Sequence, residues 1–381
     1  MGLVCFKEGP QVVLGADPIE QRDEEEENEN EEVISEFPQQ DENGKKISLS
    51  QFIMLRNLGK GSYGKVMLVQ HIVSLKLYAM KVLIKKSVKT QTQKKHVQTE
   101  RKVLEITNHN FITKLYYAFQ TQTKLYLIME FVSGGELFYH LKLKGRMTEK
   151  KMKFYAAEIL IGLDYLHKQN IIYRDLKPEN ILLDSEGHIK LCDFGLSKIC
   201  SWGDMYAKSI CGTFEYIAPE IIVGEMYTKC CDWWTYGALL YDMLTGKPPF
   251  YQLTKKQILE YATGKDIEIP NYLSEEAIDL LKKLLNRNPD ERLGGQRDAQ
   301  EIYEHPFFKD VDFQKIERKE IEPPFEMQNE RPFKFFDQNL IRKSSVNDTP
   351  VNELGRFQEF SNFTYNGDQL SSEYNQLLIT H

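Results

Sequence analysis

Three glycines that lead directly into an apolar, strand-like segment constrain the fold of this chain more than any other feature. The run is Gly59-Lys-Gly61-Ser-Tyr-Gly64, and the segment that follows is Val66-Met-Leu-Val69. A dinucleotide-binding turn has the same glycine spacing, but it needs a helix directly after the glycines, because the pyrophosphate lies at the N-terminus of that helix. A strand in that place predicts a β-hairpin whose backbone N–H groups lie over a phosphate chain. The pattern therefore disfavours a Rossmann dehydrogenase.

The charge of the chain is unevenly distributed. Its 381 residues carry a net charge of -7. Residues 1–44 hold two basic and fourteen acidic residues, a net charge of -12, so the remaining 47 basic and 42 acidic residues leave +5. The acidic run at 23–32 repels itself and has no periodic apolar residues, which predicts a disordered leader over residues 1–50. A basic excess this small predicts no nucleic-acid partner.

Cysteine usage and hydropathy bear on the compartment. The six cysteines include no C-x-x-C pair and follow no secretory signal, which predicts a reduced, cytoplasmic protein, with the nucleus as a second compartment. The longest apolar runs are far shorter than the roughly 20 residues of a membrane span, so no transmembrane segment is predicted. Gly2 and Cys5 leave N-terminal acylation open as an alternative. Phe6, however, stands where the myristoylation pattern has Ser or Thr, which favours an unmodified start.

The apolar periodicity changes along the chain. Segments 52–58, 66–69 and 77–84 are predicted strands because they are rich in apolar and β-branched residues. Helices are predicted over 91–107 and 148–169, the latter from apolar residues at spacings of three and four. Further helices are predicted at 233–244, 255–262, 274–285 and 299–303. Strands first and helices later are typical of an α+β protein with two unequal lobes, and no periodicity is found after residue 308.

Lys81 lies within the third predicted strand, in Ala79-Met-Lys81-Val. A lysine inside an apolar strand is costly to bury unless a carboxylate pairs with it. Glu100 on the next predicted helix is the candidate partner, and the paired lysine is predicted to reach phosphate oxygens. Taken alone, each residue is more often a solvated surface charge. The interpretation therefore depends on a second cluster.

The second cluster carries the chemistry. It consists of Tyr173-Arg174-Asp175-Leu-Lys177-Pro-Glu179-Asn180, then Asp193-Phe194-Gly195 and Ala218-Pro219-Glu220. Phosphoryl transfer needs a carboxylate that orients the attacking hydroxyl and accepts its proton, oxygen ligands for Mg²⁺, and a cation that offsets charge on the transferred group. Asp175 is the predicted base, Asn180 and Asp193 are the predicted Mg²⁺ ligands, and Lys177 is the predicted cation. These spacings predict phosphoryl transfer.

Together these runs resemble the signatures of the protein kinase family over residues 52–308. The resemblance implies a protein kinase-like bilobal α+β fold, with a small β-rich N-lobe, a larger helical C-lobe and ATP in the cleft. It implies that Met129 is the gatekeeper, that Glu130 to Val132 form the hinge, and that Leu182 lies below adenine. The remaining ATP-binding positions that it implies are Leu58, Gly59, Lys60, Gly61, Ser62, Tyr63, Gly64, Lys65, Val66, Ala79, Lys81 and Glu136. Asp232 resembles the buried acid that ties the catalytic loop to the long helix.

Several positions resemble the AGC group of serine/threonine kinases in particular. Tyr173 replaces the histidine of many kinases, Lys177 fits the serine/threonine pattern, and Cys211-Gly-Thr precedes Ala-Pro-Glu. The tail predicted at 309–381 adds Phe335-Phe-Asp, a turn motif around Thr349, and Phe360-Ser-Asn-Phe363-Thr-Tyr, which matches the aromatic hydrophobic motif. The leader is too short for a lipid-binding domain. The resemblance is to the ribosomal-protein, serum/glucocorticoid-regulated and protein kinase B branch.

The resemblance also implies how substrates and regulators act. Glu136, Glu179 and Glu260 are expected to bind arginine, at substrate position -3 and, less strictly, at -2 or -5. Ser209, Thr349 and Thr364 are the expected phosphosites, modified by upstream activating kinases. Residues 360–365 are expected to dock on the small lobe, with Lys89, Lys94 or Lys95 near the phosphate.

A pseudokinase scaffold is the alternative from another functional class. It is disfavoured because the strand lysine Lys81, the base Asp175 and the metal ligand Asp193 are all present. His109 and His167 have no ligand-like neighbours in sequence, and neither has His305, so core or surface histidines are predicted rather than a metal site. The active enzyme is expected to be a monomer.

Overall fold

The structure is a computed structural model that describes residues 47–61, 63–201, 204–325, 360 and 363–366. Most of the predicted leader, and most of the predicted tail with Phe335 and Thr349, lie outside the described residues. Ser62 of the glycine run lies outside them as well. Elements are therefore given for these ranges only.

The small lobe is an antiparallel sheet with one long helix against it. Its strands are β1 (Phe52–Gly61), β2 (Gly64–His71), β3 (Leu77–Ile84), β4 (Leu115–Gln120) and β5 (Lys124–Glu130). They lie in the spatial order β1-β2-β3-β5-β4. Helix α1 (Gln91–Ile106) crosses between β3 and β4, and its N-terminus is capped by Thr90, whose Oγ1 accepts a hydrogen bond from the Gln93 N–H at 3.1 Å.

The sheet buries side chains on both faces. Strand side chains alternate, so Val66 and Leu68 of β2 join the main core while Met67 and Val69 join a second apolar cluster on the outer face. Ile47, just before β1, packs into that outer cluster. The inner face is therefore left to form the roof of a cleft.

The large lobe is mostly helical. Its helices are α2 (Leu137–Lys144), α3 (Glu149–Lys168), α4 (Pro219–Ile222), α5 (Cys230–Thr245), α6 (Lys255–Thr263), α7 (Glu275–Leu284), α8 (Ala299–Tyr303) and α9 (Phe313–Glu317). Two short antiparallel strand pairs belong to this lobe: β6 (Ile171–Ile172) pairs with β9 (Lys198–Ile199), and β7 (Ile181–Leu183) forms a hairpin with β8 (Ile189–Leu191). The centre is the α3–α5 contact, where the buried Tyr236 hydroxyl donates to the Ala156 carbonyl at 2.9 Å.

A strand from the tail completes the small lobe. β10 (Tyr365–Asn366) pairs antiparallel with β4, with Tyr365 opposite Ala118, so the sheet has six strands among the described residues. Residues near the end of the chain thus form an edge of the lobe that begins near residue 50.

The predicted α+β bilobal fold is confirmed, with differences in detail. The helices predicted at 91–107 and 148–169 end within one residue of α1 and α3. The sequence pattern missed β4, β5 and α2, and the absence of periodicity after 308 hid α9. Helix α9 has five residues, too few for a periodic signal, and aromatic contacts hold it: Phe313 packs edge-on against Tyr303 at 4.6 Å. In the described part of the chain, no helix combines the length and apolar character that crossing a membrane requires.

Candidate active site

The glycine run forms the predicted hairpin between β1 and β2. Gly59 lies opposite Val66, and Gly61 lies opposite Gly64 at the turn. A Cβ on Gly64 would be 1.8 Å from the Val82 carbonyl oxygen, so only glycine fits there. A Cβ on Gly61, by contrast, would meet no atom within 4 Å, which leaves the tip of the hairpin open to a ligand.

Lys81 of β3 reaches its expected partner Glu100 and also Asp193, which had been predicted only as a metal ligand. Its Nζ is 2.5 Å from Glu100 Oε1 and 3.7 Å from Asp193 Oδ1. Burial alone would lower the pKa of Lys81, but the charges of Asp193 and Glu100 raise it above its usual value. The lysine is therefore a partly buried cation, held where strand β3, helix α1 and the Asp193 loop meet.

Asp175 is held by three side chains. Its Oδ1 accepts a hydrogen bond from Thr213 Oγ1 at 2.8 Å, and its Oδ2 lies 2.9 Å from both Lys177 Nζ and Asn180 Nδ2. Lys177 also donates to Thr213 Oγ1 at 2.9 Å. This network fixes the carboxylate and places a cation next to it. It joins residues 173–180, called the catalytic loop, to Thr213 of residues 193–220, called the activation segment.

Asn180 and Asp193 fit the chemistry of a metal site. Asn180 is fully buried, and its Nδ2 is used by Asp175, whereas its Oδ1 has no hydrogen-bond partner among the described residues. A buried carbonyl oxygen without a donor is costly unless a ligand is bound. Asp193 contributes a carboxylate from a backbone at φ +58°, a left-handed conformation. Two oxygen donors of this kind suit Mg²⁺.

Asp232 holds the catalytic loop from below. Its Oδ2 accepts from the Tyr173 N–H and its Oδ1 from the Arg174 N–H, both at 2.8 Å. Arg174 has φ +68°, so these two bonds stabilise a left-handed backbone one residue before Asp175. The expected tie between the loop and α5 is therefore present.

The apolar residues expected around adenine lie together. All of them are buried in one core cluster, which includes Leu58, Val66, Ala79, Met129, Val132 and Leu182. Glu130, however, uses its carboxylate to pair with Lys190 of β8 at 2.9 Å. Any contact of Glu130 with adenine therefore has to come from its backbone.

Comparison with known proteins decides the family. The protein kinase domain model matches residues 52–308. The chain is 43% identical over 343 residues to Protein kinase 2 of Dictyostelium discoideum, covering 86% of this chain and 70% of that protein. It is 49% identical over 288 residues to Ribosomal protein S6 kinase 2 alpha of Gallus gallus, covering 74% of this chain and 38% of that protein. The chain belongs to the protein kinase family.

Other relatives support the AGC assignment. Serine/threonine-protein kinase gad8 of Schizosaccharomyces pombe is 43% identical over 325 residues, 84% of this chain and 57% of that protein. The match thus spans less than two thirds of gad8 and of the Gallus gallus kinase. The predicted resemblance to AGC serine/threonine kinases is confirmed, and the enzyme is a serine/threonine protein kinase.

Two of the three acids expected to bind substrate arginine form a pair in this kinase. Glu136 precedes α2 and is 8% exposed. Burial, and next the charge of Glu179, raise the pKa of Glu136 to about 8. Glu179 Oε2 is buried without a hydrogen-bond partner in the described part of the chain. Glu260 lies apart, exposed on α6.

Ser209 lies against the guanidinium of Arg174. Its Oγ accepts from Arg174 Nη1 at 2.8 Å, and its carbonyl oxygen accepts from the Tyr227 hydroxyl at 2.8 Å. The charge of Arg174 also acts on His96 of α1: burial, and next that charge, lower the pKa of His96. The sequence analysis had not indicated Tyr227 or His96, because neither belongs to a recognisable run.

The aromatic tail residues lie on the small lobe. Phe360 and Phe363 are each 2% exposed. Gln120 Nε2 donates to the Phe360 carbonyl at 2.8 Å, and Arg101 Nη2 donates to the Thr364 carbonyl at 3.2 Å. Lys94, expected near a Thr364 phosphate, lies with its Nζ 5.6 Å from the centroid of the Phe360 ring. Arg101, on the same helix as Glu100, was missed by the sequence analysis.

Proposed function

We propose that this kinase transfers the γ-phosphoryl group of Mg²⁺-bound ATP to serine or threonine in basic protein segments, and that Ser209 and the tail switch it on. The observation that carries the proposal is the Asp175–Thr213–Lys177 network, which lies with Lys81, Glu100 and Asp193 in one cleft. Phosphoryl transfer depends on positioning and charge stabilisation, which such a network supplies.

The proposed role of Asp175 follows from its contacts. Thr213 and Lys177 orient its carboxylate, and the substrate hydroxyl would donate its proton to that carboxylate. Lys177 then lies beside the transferred group and offsets its negative charge. Because Thr213 belongs to the activation segment, the order of that segment determines whether the network is complete.

Asn180 and Asp193 are the proposed Mg²⁺ ligands, by the donor chemistry described above. The metal, when bound, supplies positive charge that neutralises the phosphate oxygens. Lys81 is the proposed contact of this chain to the phosphates, and Glu100 keeps it in place. The hairpin around Gly61, with Lys60, Tyr63 and Lys65, is proposed to cover the phosphates of ATP.

Glu136 and Glu179 are the proposed arginine site, because Glu136 is buried, Glu179 is half-buried, and Glu179 Oε2 has no hydrogen-bond partner among the described residues. The pKa of Glu136 is raised by burial and by Glu179, so a guanidinium that pairs with both would relieve this repulsion. Glu260 is the proposed outer contact. The proposed partners are protein substrates with basic motifs and upstream activating kinases.

One assay tests this function. The full chain is incubated with radiolabelled ATP, Mg²⁺ and a degenerate peptide library, with Asp175→Ala as the matched control. We expect transfer to serine and threonine, preferring arginine at position -3, and none from the control. Preference for acidic or proline-directed sites would contradict the arginine site. A scaffold without transferase activity would label no peptide at all.

A further inference from the structure

A buried histidine contacts Asp232, the residue that holds the catalytic loop. His167, near the end of α3, is 1% exposed and lies between two carboxylates. Its Nε2 is 2.9 Å from Asp232 Oδ2, and its Nδ1 is 2.9 Å from Asp298 Oδ1. A carboxylate accepts hydrogen bonds but does not donate them, so both ring nitrogens have to donate. The ring is therefore an imidazolium, and not the unspecialised core histidine that the sequence alone predicts.

The second carboxylate is ionised as well. Asp298 Oδ1 also accepts from Trp233 Nε1 at 2.8 Å, and Asp298 Oδ2 pairs with Lys229 Nζ at 2.6 Å. Despite burial, the hydrogen bonds and charges of His167 and then of Lys229 lower the pKa of Asp298 below its usual value. His167 and Lys229 thus balance Asp232 and Asp298, two positive charges against two negative ones. His167 and Asp232 are buried, whereas Lys229 and Asp298 are partly exposed, and buried charges of this kind are tolerated when they are paired and hydrogen-bonded.

Asp232 connects this group of four to the catalytic loop. Both Asp232 oxygens are used by the catalytic loop, at the N–H groups of Tyr173 and Arg174. The left-handed conformation of Arg174 needs those two N–H groups to converge on one acceptor. If the carboxylate of Asp232 rotated, the loop that carries Asp175 would lose its support.

We propose that His167 is a positioning residue for phosphoryl transfer: its ring, donating to Asp298 and Asp232 at once, fixes the carboxylate that orients Tyr173 and Arg174 beside Asp175. The proposal rests on the proposed role of Asp175 as the base. It assigns no contact between His167 and substrate. The chain Asp298–His167–Asp232 links the loop before α8 to the catalytic loop, through a helix end that carries no signature motif.

The Asp298→Asn substitution removes the negative charge of residue 298 and keeps the size of its side chain. Burial lowers the pKa of His167, and the hydrogen bonds and charges of Asp232 and Asp298 raise it to about 9, so the ring stays charged at neutral pH. In the variant one carboxylate is lost while Asp232, Lys229 and Trp233 remain, so the pKa falls. We expect kcat of the variant to decline as pH rises through that lower pKa and to recover on acidification. The unmodified kinase should show no such decline below about pH 8.

The deciding experiment uses the full chain with phosphorylated Ser209 and compares His167→Gln and Asp298→Asn with His305→Gln. His305 is the matched control, because its Nε2 bonds a single carboxylate, Asp279, at 3.0 Å, far from the catalytic loop. For His167→Gln we expect kcat to fall roughly ten- to a hundredfold, with KM for ATP changed less than about twofold. The control should keep its kcat. Nitrogen-15 NMR of the unmodified enzyme should show His167 with two N–H protons at pH 7.

Three results would overturn the proposal. The first is a folded His167→Gln variant with kcat within about twofold of the unmodified enzyme. The others are a pH profile of Asp298→Asn identical to that of the unmodified enzyme, and a neutral His167 ring at pH 7. If His167→Gln does not fold, the Asp298→Asn profile and the NMR spectrum decide. Failure of the base assignment looks different, since Asp175→Ala would then stay active while the protonation of His167 is unaffected.

Discussion

Arg174 donates a hydrogen bond from Nη1 to Ser209 Oγ at 2.8 Å, across 35 positions of sequence. The same guanidinium donates to the Tyr227 hydroxyl and to the carbonyl oxygens of Leu196 and Ser197. The cation is therefore already oriented around an unmodified serine. A phosphate on Ser209 would place nearly two negative charges against the Arg174 guanidinium.

Ser209→Ala should lower kcat/KM at least about tenfold, because the charge-assisted bonds that order the activation segment cannot form. Thr213, which orients Asp175, lies in the same segment. Peptide phosphorylation before and after phosphatase treatment measures the effect, and Ser201→Ala is the control on the same segment. A phosphatase-treated enzyme that keeps full activity would place the switch elsewhere.

Lys81→Met should reduce kcat by more than about a hundredfold while the protein stays folded. The substitution removes the cation between Glu100 and Asp193. Lys76→Met, at an exposed lysine in the turn before β3, is the matched control and should keep its activity. Steady-state kinetics with a circular-dichroism melt distinguish lost chemistry from lost folding. Near-normal turnover of Lys81→Met would refute the assignment of Lys81 to the phosphates.

Phe360→Ala combined with Phe363→Ala should lower both activity and the melting temperature, even with Ser209 phosphorylated. Each ring is buried, at about 1.5–3 kcal/mol of apolar burial, and Arg101 and Gln120 hold the adjacent backbone. Since Arg101 and Glu100 are neighbours on α1, release of the tail should also weaken the Lys81–Glu100 pair. Tyr272→Ala, at an aromatic that is 53% exposed, is the control. Unchanged activity and melting would rule out tail docking.

The KM for a peptide with arginine at position -3 should fall as pH rises from 6.5 to 8.5. The pKa of Glu136 is about 8, raised first by burial and then by Glu179, so below that pH the free enzyme holds a proton there. A bound guanidinium favours the ionised form, and proton release makes binding stronger at higher pH. Glu136→Gln should abolish the pH dependence, whereas Glu268→Gln, an exposed acid, should keep it. The KM for a peptide without arginine should not depend on pH in this range, with either variant.

The residues proposed to carry the chemistry could be found in the sequence because phosphoryl transfer requires these residue types at these spacings. Lys81 needs a partner, Asp175 needs a cation, and Asn180 and Asp193 offer oxygen to a metal, whatever surrounds them. The structure brings these residues together as the motifs indicate. Phe360 and Phe363 were found for a similar reason, since aromatic residues in a polar tail need a place to pack.

The supporting residues could not be found that way. His167 meets Asp232 and Asp298 from 65 and 131 positions away, and no local pattern records such a meeting. Thr213 supports Asp175 across 38 positions. Helix α2 has no side-chain hydrogen bond at its N-cap Glu136, and α9 is a single short turn, so tertiary packing rather than local signals determines both.

The sixth strand has a consequence for how the protein is made. Tyr365 pairs with Ala118, and Gln120 donates a hydrogen bond to Phe360 across 240 positions of sequence. One edge of the small lobe is therefore completed by residues that the ribosome adds much later. Pairings this distant in sequence form slowly. Until then β4 offers a bare strand edge, which invites mispairing. We therefore expect the nascent chain to depend on a chaperone that protects β4. The newly synthesised kinase should become active only after the tail has been translated.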